Sequence, residues 1–200
     1  SVIVSIAPIF TGILAHFFLE GEKMKKSIVL GFVCAMAGIC LITFQKGETV
    51  ELNPLGDFLG VAAAAIWGVY SICSRKIAGF GYDTIITTRR TFFYGILFML
   101  CALPFMDFHL SLSALLKPVN LGNIIYLGVG ASAICFVTWN YAVKSLGATR
   151  ASVYIYGIPV VTILMSIPLL HEVITFQAMA GTVLTLVGLL ISEWPFSPKK

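Results

Sequence analysis

The polar and aromatic side chains set within otherwise apolar stretches are where this chain could do chemistry. Trp67, Tyr70, Ser71 and Ser74 occupy positions i, i+3, i+4 and i+7, which places them on one face of a helix. Trp139, Asn140 and Tyr141 close a second apolar stretch, and Tyr154 and Tyr156 open the next. Such side chains stack on a small amphipathic molecule and hydrogen-bond to it. The candidate binding residues are therefore Trp67, Tyr70, Ser71, Asn140, Tyr154 and Tyr156. Asn140 leads, because an amide with two donors and an acceptor must be met within a bundle or a wet cavity, although an interhelical hydrogen bond meets it as well as a ligand does. The aromatic rings have an alternative role at a membrane interface, which suits Trp194 better than Trp67 or Tyr156.

Arg89 and Arg90 follow Asp83, a plausible helix N-cap, at about 9 to 10 Å along the helix. Adjacent residues cannot share a face. One snorkels to the interface, and the other, with Arg90 as the candidate, is available to an anionic group such as a carboxylate; snorkelling of both is the competing reading. His16 offers an acid–base group, but no Asp or Glu lies deep in any stretch to relay a proton, so a packing role is preferred.

Catalytic residues, metal ligands and cofactors are not expected. The sequence has no GxSxG, HExxH or Walker loop and no paired carboxylates on a helix face. The five cysteines form no CxxC pair and read as small hydrophobes. Glu20 and Glu22 sit in a short basic turn, where solvation and helix capping account for them.

The elements that carry these residues follow from composition. The 200 residues are 58% hydrophobic and 11% charged, with a mean hydropathy of +0.97. Soluble domains carry about 25% charged residues, so this chain cannot present a solvated surface. Seven apolar stretches approach the ~20 residues that cross a bilayer core as a helix. They are roughly 2–19, 27–44, 57–74, 84–103, 121–143, 148–170 and 175–192. Each is far longer than a barrel strand, and a helix satisfies its own backbone in lipid. The expected fold is an all-α integral membrane protein with about seven transmembrane helices.

Threading these spans alternately puts Lys23, Lys25, Lys26, Arg75, Lys76, Arg89, Arg90, Lys144, Arg150, Lys199 and Lys200 on one side, against Lys46 and Lys117 on the other. The positive-inside rule makes the richer side cytoplasmic, with the N-terminus outside and the C-terminus inside. The charge is thus a matter of topology, and no nucleic-acid partner is expected.

The chain also resembles itself. Ala7-Pro8-Ile9-Phe10 leads to Glu22, Gly31 and Gly38, and Ile158-Pro159-Val160-Val161 leads to Glu172, Gly181 and Gly188. In both copies the glutamate precedes the glycines by the same two intervals, and the charge map gives the copies opposite orientations. Inverted repeats of this kind mark transporters, in which two halves rock about a midplane site. Pro8 and Pro159, read as mid-span, are paired hinge candidates or static bends. The glycines, and the four-residue rhythm Gly56, Gly60, Ala64, Gly68, read as packing seams.

Three segments carry a family resemblance: Pro159 to Glu172; Gly56-Asp57-Phe58-Leu59-Gly60 through Trp67 to Ser74-Arg75-Lys76; and Asn140-Tyr141-Ala142-Val143 through Leu146-Gly147-Ala148 to Ala151-Ser152. They resemble the drug/metabolite transporter superfamily in its EamA-type branch, whose members have ten helices in two inverted five-helix repeats. The resemblance implies that residues 1–46 are the last two transmembrane helices of a first repeat and 54–194 a complete second repeat. It implies a secondary transporter that moves amino acids, their derivatives or drug-like metabolites outward across the inner membrane by alternating access. It also slightly favours Arg90, in Thr88-Arg89-Arg90-Thr91-Phe92, as a substrate contact. The implied partners are a small-molecule substrate and the lipid bilayer, with a homodimer left open. The competing reading is a non-transporting seven-helix membrane protein, a receptor or structural subunit; a membrane-embedded enzyme would need intramembrane carboxylates or histidine clusters. The genomic sequence upstream of Ser1 is expected to encode three further apolar spans, and a start codon with a signal segment directly before Ser1 would exclude the ten-helix reading.

Overall fold

The structure is a computed structural model that describes residues 4–22, 24–43, 53–105, 112–170 and 175–194. Among the described residues ten α-helices follow in chain order: α1 (Ala7–Phe18), α2 (Lys26–Thr43), α3 (Pro54–Gly79), α4 (Thr84–Ala102), α5 (Leu112–Leu115), α6 (Pro118–Ile125), α7 (Cys135–Leu146), α8 (Ala148–Val153), α9 (Ile158–Leu170) and α10 (Phe176–Glu193). Short 3-10 turns precede α1 and α9, and a π-helix, Tyr126–Ile134, joins α6 to α7. No strand occurs among the described residues.

Among the described residues, six helical stretches are long and apolar enough to cross a bilayer: Lys26–Thr43, Pro54–Gly79, Thr84–Phe105, Pro118–Leu146, Ala148–Pro168 and Phe176–Glu193. The seventh expected span appears as the shorter α1, of 12 residues. Local chemistry sets several boundaries. The Asp83 carboxylate accepts from the Ile85 and Ile86 amides to start α4, and the Thr175 hydroxyl accepts from the Ala178 amide to start α10. Gly21 and Gly81 take positive φ in the turns after α1 and α3. Large apolar side chains point outward throughout, Phe98 and Met99 among them, so the solvent of this surface is lipid. The chain is an all-α membrane protein.

By contact the chain forms two compact units, residues 1–73 with 146–200, and residues 74–145. The boundary expected at residues 46–54 rests on similarity between repeats, a different criterion from packing.

In the first unit α2 and α10 touch backbone to backbone. A Cβ added to Gly38 would lie 2.6 Å from the Gly181 carbonyl oxygen, and one added to Gly188 would lie 2.6 Å from that of Gly31. Because 31 meets 188 and 38 meets 181, the helices run antiparallel, and the glycines that phase the two copies of the repeat face one another. Thr185 and Ser192 lie buried in the seam and return their hydroxyl protons to the Gly181 and Gly188 carbonyls of their own helix. The Cys34 thiol and the Gln177 amide bridge the pair by donating to the carbonyls of Leu184 and Leu41. Beside this seam a small core gathers Ala35, Ile39, Val153 and Tyr156.

The other expected seam closes at one end only. Ala64 and Gly68 are buried, and a Cβ on Gly68 would sit 3.2 Å from the Thr11 amide nitrogen of α1, whereas Gly56 is exposed. The prolines also differ from expectation. Pro8 and Pro159 do not interrupt helices but occupy the second position of α1 and α9, each directly after a 3-10 turn. A first-turn N–H has no intrahelical acceptor, so proline there removes no bond. Among the described residues, the proline inside an α-helix is Pro168.

In the second unit α4 and the continuous stretch Pro118–Leu146 present mostly exposed apolar faces, with Phe92 packed edge-on against Phe136 at 5.2 Å between centroids. Substituting Gly181 by Val is expected to destabilise the protein by about 1–3 kcal/mol or more through overpacking. Gly95→Val, where a Cβ would meet nothing within 4 Å, should leave the melting temperature in detergent nearly unchanged.

Candidate functional site

The span Ala148–Pro168 is not one helix. Six residues of α8 give way to a 3-10 turn, Tyr154–Gly157, before α9 resumes at Ile158. Residues two apart lie on roughly opposite faces of either coil, so the two tyrosines diverge. Tyr154 is half exposed, and Tyr156 is 1% exposed within the core. Tyr154 heads an open cavity of about 690 Å³ lined by Gly157, Ile158, Val161, Thr162, Met165 and Ser166. A second cavity of about 420 Å³ lies across Ile158 and Thr162, bounded by Ser5, Ile39 and Pro159. Both walls are apolar with a few hydroxyls. Those of Thr162 and Ser166 donate to the carbonyls of Ile158 and Ile163, which leaves their lone pairs as acceptors.

The Tyr156 hydroxyl is buried with no hydrogen-bond partner among the described residues, and the void beside it, walled by Pro8, Met24 and Phe32, has no room for a water. Ser27 buries an equally unmet hydroxyl. The remaining candidates of this unit lie on α3. The Trp67 and Tyr70 rings pack together at 5.6 Å, and the fully buried Ser71 hydroxyl donates to the Trp67 carbonyl. None of these three lines the cavity headed by Tyr154.

In the second unit Asn140 takes the interhelical role. Its Oδ1 accepts from the Ser74 hydroxyl at 2.6 Å, and its Nδ2 donates to Thr88 Oγ1 at 2.9 Å, so the amide ties α7 to α3 and α4. Thr88 passes its own proton to the Thr84 carbonyl, which completes the chain. Arg75 Nη1 donates to the Val143 and Lys144 carbonyls at the C-terminus of α7, and the Lys144 ammonium donates to the Tyr82 carbonyl. Arg89 and Arg90 are both exposed on α4, and His16 is exposed in the last turn of α1 against Phe17.

One residue that sequence reasoning set aside has a defined role. Glu22, read as a solvated or locally capping turn residue, accepts from the backbone amides of Ala148 and Thr149 and from the Thr149 hydroxyl, all at 3.0–3.1 Å. The cap is for a helix 126 positions away. The available signal was the equal phasing of Glu22 and Glu172 in the two copies; Glu172 lies outside the described residues. No group of His, Cys, Asp and Glu able to hold a metal occurs among the described residues.

Two substitutions separate structural from free hydroxyls and amides. Asn140→Ala orphans partners on two helices and is expected to cost about 1–3 kcal/mol. Tyr156→Phe removes an unmet buried hydroxyl and should be neutral or raise stability by about 1 kcal/mol. Unfolding in detergent followed by circular dichroism measures both.

Comparison with known proteins agrees with this architecture. The chain matches the EamA-like transporter family over residues 1–44 and 54–194. It is 31% identical over 192 residues to an uncharacterized transporter of Archaeoglobus fulgidus, covering 96% of this chain and 66% of that protein. It is 28% identical over 191 residues to a protein of Streptantibioticus cattleyicolor named as a probable terminal-alkyne amino-acid exporter, covering 96% and 62%. A solved crystal structure superposes with a TM-score of 0.76 at 20% identity, over 96% of this chain and 65% of that one, which speaks to the fold. The chain thus spans about two thirds of the length of the curated relatives it matches. With the described residues of both matched stretches largely helical and apolar, it is a multi-pass membrane protein, and it belongs to the EamA-like transporter family.

Proposed function

We propose that this protein works as a secondary transporter of small amphipathic metabolites, amino acids or their derivatives among them, and moves them outward across the inner membrane by alternating access. The observation that carries the reading is the break at Tyr154–Gly157 in the middle of the span Ala148–Pro168, with a cavity of about 690 Å³ opening on it. Irregular backbone at membrane depth is tolerated where it lines a cavity, and discontinuous helices of this kind form the binding sites of many transporters. The volume suits a small molecule, since ligand pockets run to about 300–1,000 Å³. The lining of Tyr154, Thr162, Ser166 and Met165 offers a stacking ring, hydroxyl acceptors and apolar wall, which fits a substrate with an ammonium or amide beside an apolar side chain.

Within this reading Tyr154 is the primary contact, and Trp67, Tyr70 and Arg90 are second candidates. Ser71, Asn140 and Tyr156 hold the helices that carry them. The charge map supports a cytoplasmic location for the Glu22 turn and for the start of α8. The family match supports movement of a solute, and the Streptantibioticus relative's printed name supports amino acids and export.

Reconstituted in lipid vesicles, the protein is expected to move at least one member of a panel of radiolabelled amino acids and amino-acid derivatives saturably. Tyr154→Ala should raise KM about threefold to tenfold, the loss of one aromatic contact, at unchanged melting temperature. Absence of saturable movement for every compound would overturn the proposal.

A further inference from the structure

We propose that Glu22 is a positioning residue of the transport cycle, an interhelical latch whose carboxylate caps the start of α8 and so holds the broken span that carries Tyr154. The latch stands on geometry alone, and its consequence for transport rests on the function proposed above.

The start of α8 has no cap of its own. Gly147 precedes it with φ of +93°, and no side chain of the local sequence bonds the first-turn amides. Four N–H groups at a helix start have no intrahelical acceptor, so they need partners from elsewhere. Glu22 supplies them with both oxygens. Oε1 accepts from the Ala148 amide at 3.1 Å, and Oε2 accepts from the Thr149 amide and hydroxyl, each at 3.0 Å. An ionised acceptor at the positive end of a helix makes strong bonds of this type. The residue at 147 must be glycine for two reasons. Its φ lies in the left-handed region, and a Cβ there would sit 2.6 Å from Glu22 Oε1.

The latch joins matching parts of the two repeats. Glu22 follows α1, the first-copy counterpart of α9, and it grips the short helix that leads through the 3-10 turn into α9. Between the carboxylate and Tyr154 lie the six residues of α8, so the cap fixes where the broken span begins.

Its surroundings make it releasable. The carboxylate lines a cavity of about 430 Å³ with Lys25, Arg150, Glu193 and Trp194, a polar site at the end of the helices. When the latch opens there, water replaces each lost hydrogen bond, whereas a polar pair deep in lipid would be left unmet. The glycine seam of α2 and α10 has no such replacement and stays closed. Alternating access needs a contact that is held in one state and released in the other, and Glu22 with α8 has that character.

Hydrogen exchange and transport together test the inference. Glu22→Gln and Glu22→Ala are expected to speed exchange of the Ala148 and Thr149 amides about tenfold or more, while peptides of α2 and α10 exchange as in the wild type. Thr149→Val, which removes only the hydroxyl donor, should produce a smaller change in the same amides. In vesicles the Glu22 variants should alter turnover several-fold with KM nearly unchanged, and Glu22→Asp should recover part of the wild-type turnover. Unchanged amide protection in Glu22→Ala would overturn the latch. Lost protection with unaltered turnover, or an equal change in KM, would overturn its positioning role. A wild-type protein that moves no solute would overturn the transport reading alone, because the exchange measurement still decides the latch.

Discussion

In the first unit everything is arranged around a contact between two backbones. The α2 and α10 helices approach so closely at Gly31, Gly38, Gly181 and Gly188 that carbonyl oxygens of one lie where the other's Cβ atoms would be. In lipid there is no hydrophobic drive to bring helices together, so association depends on close van der Waals contact and on polar groups that find partners. Glycine supplies the first. Cys34 and Gln177 supply the second by donating across the pair, while Thr185 and Ser192 fill the seam with hydroxyls already met by their own helix. The core of Ala35, Ile39, Val153 and Tyr156 rests against the flank of this pair.

A second constraint, that every backbone group in an apolar medium must be met, explains where the chain departs from ideal helix. Pro8 and Pro159 lie at helix positions whose amides lack acceptors, immediately after 3-10 turns, so the two copies of the repeat use proline in the same way. Arg75 covers the carbonyls that α7 leaves open at its C-terminus, and Glu22 covers the amides that α8 leaves open at its start. These charged side chains sit at helix ends, where their charge remains close to water. Asn140 instead meets side-chain hydroxyls of two other helices with a neutral amide, which lipid tolerates better than a charge.

The break at Tyr154–Gly157 gains its meaning from these fixed parts. One of its tyrosines is anchored in the core and the other faces a cavity, so a two-residue separation in sequence becomes a division between structure and binding surface. A continuous α-helix would place residues two apart about 200° around the axis. The packing of Tyr156 against Phe32 fixes which of these opposite sides faces the core.

By itself the sequence determined that the chain is helical, that it lives in lipid, roughly where six long spans and a shorter apolar helix fall, and that its ends resemble one another. These are properties of composition and of periodicity along single segments, and each helix satisfies its own backbone without reference to its neighbours. The sequence also marked Gly31, Gly38, Gly181 and Gly188 as seam residues, because only small side chains permit close approach. Which seam meets which was decided by the tertiary structure, as was the assignment of Asn140 to an interhelical bridge rather than to an open cavity. The partner of Glu22 was likewise invisible: a carboxylate in a basic turn looks solvated until a helix start 126 residues away is brought to it. Capping a distant helix leaves no local pattern, because the amides it meets are backbone and belong to every residue alike.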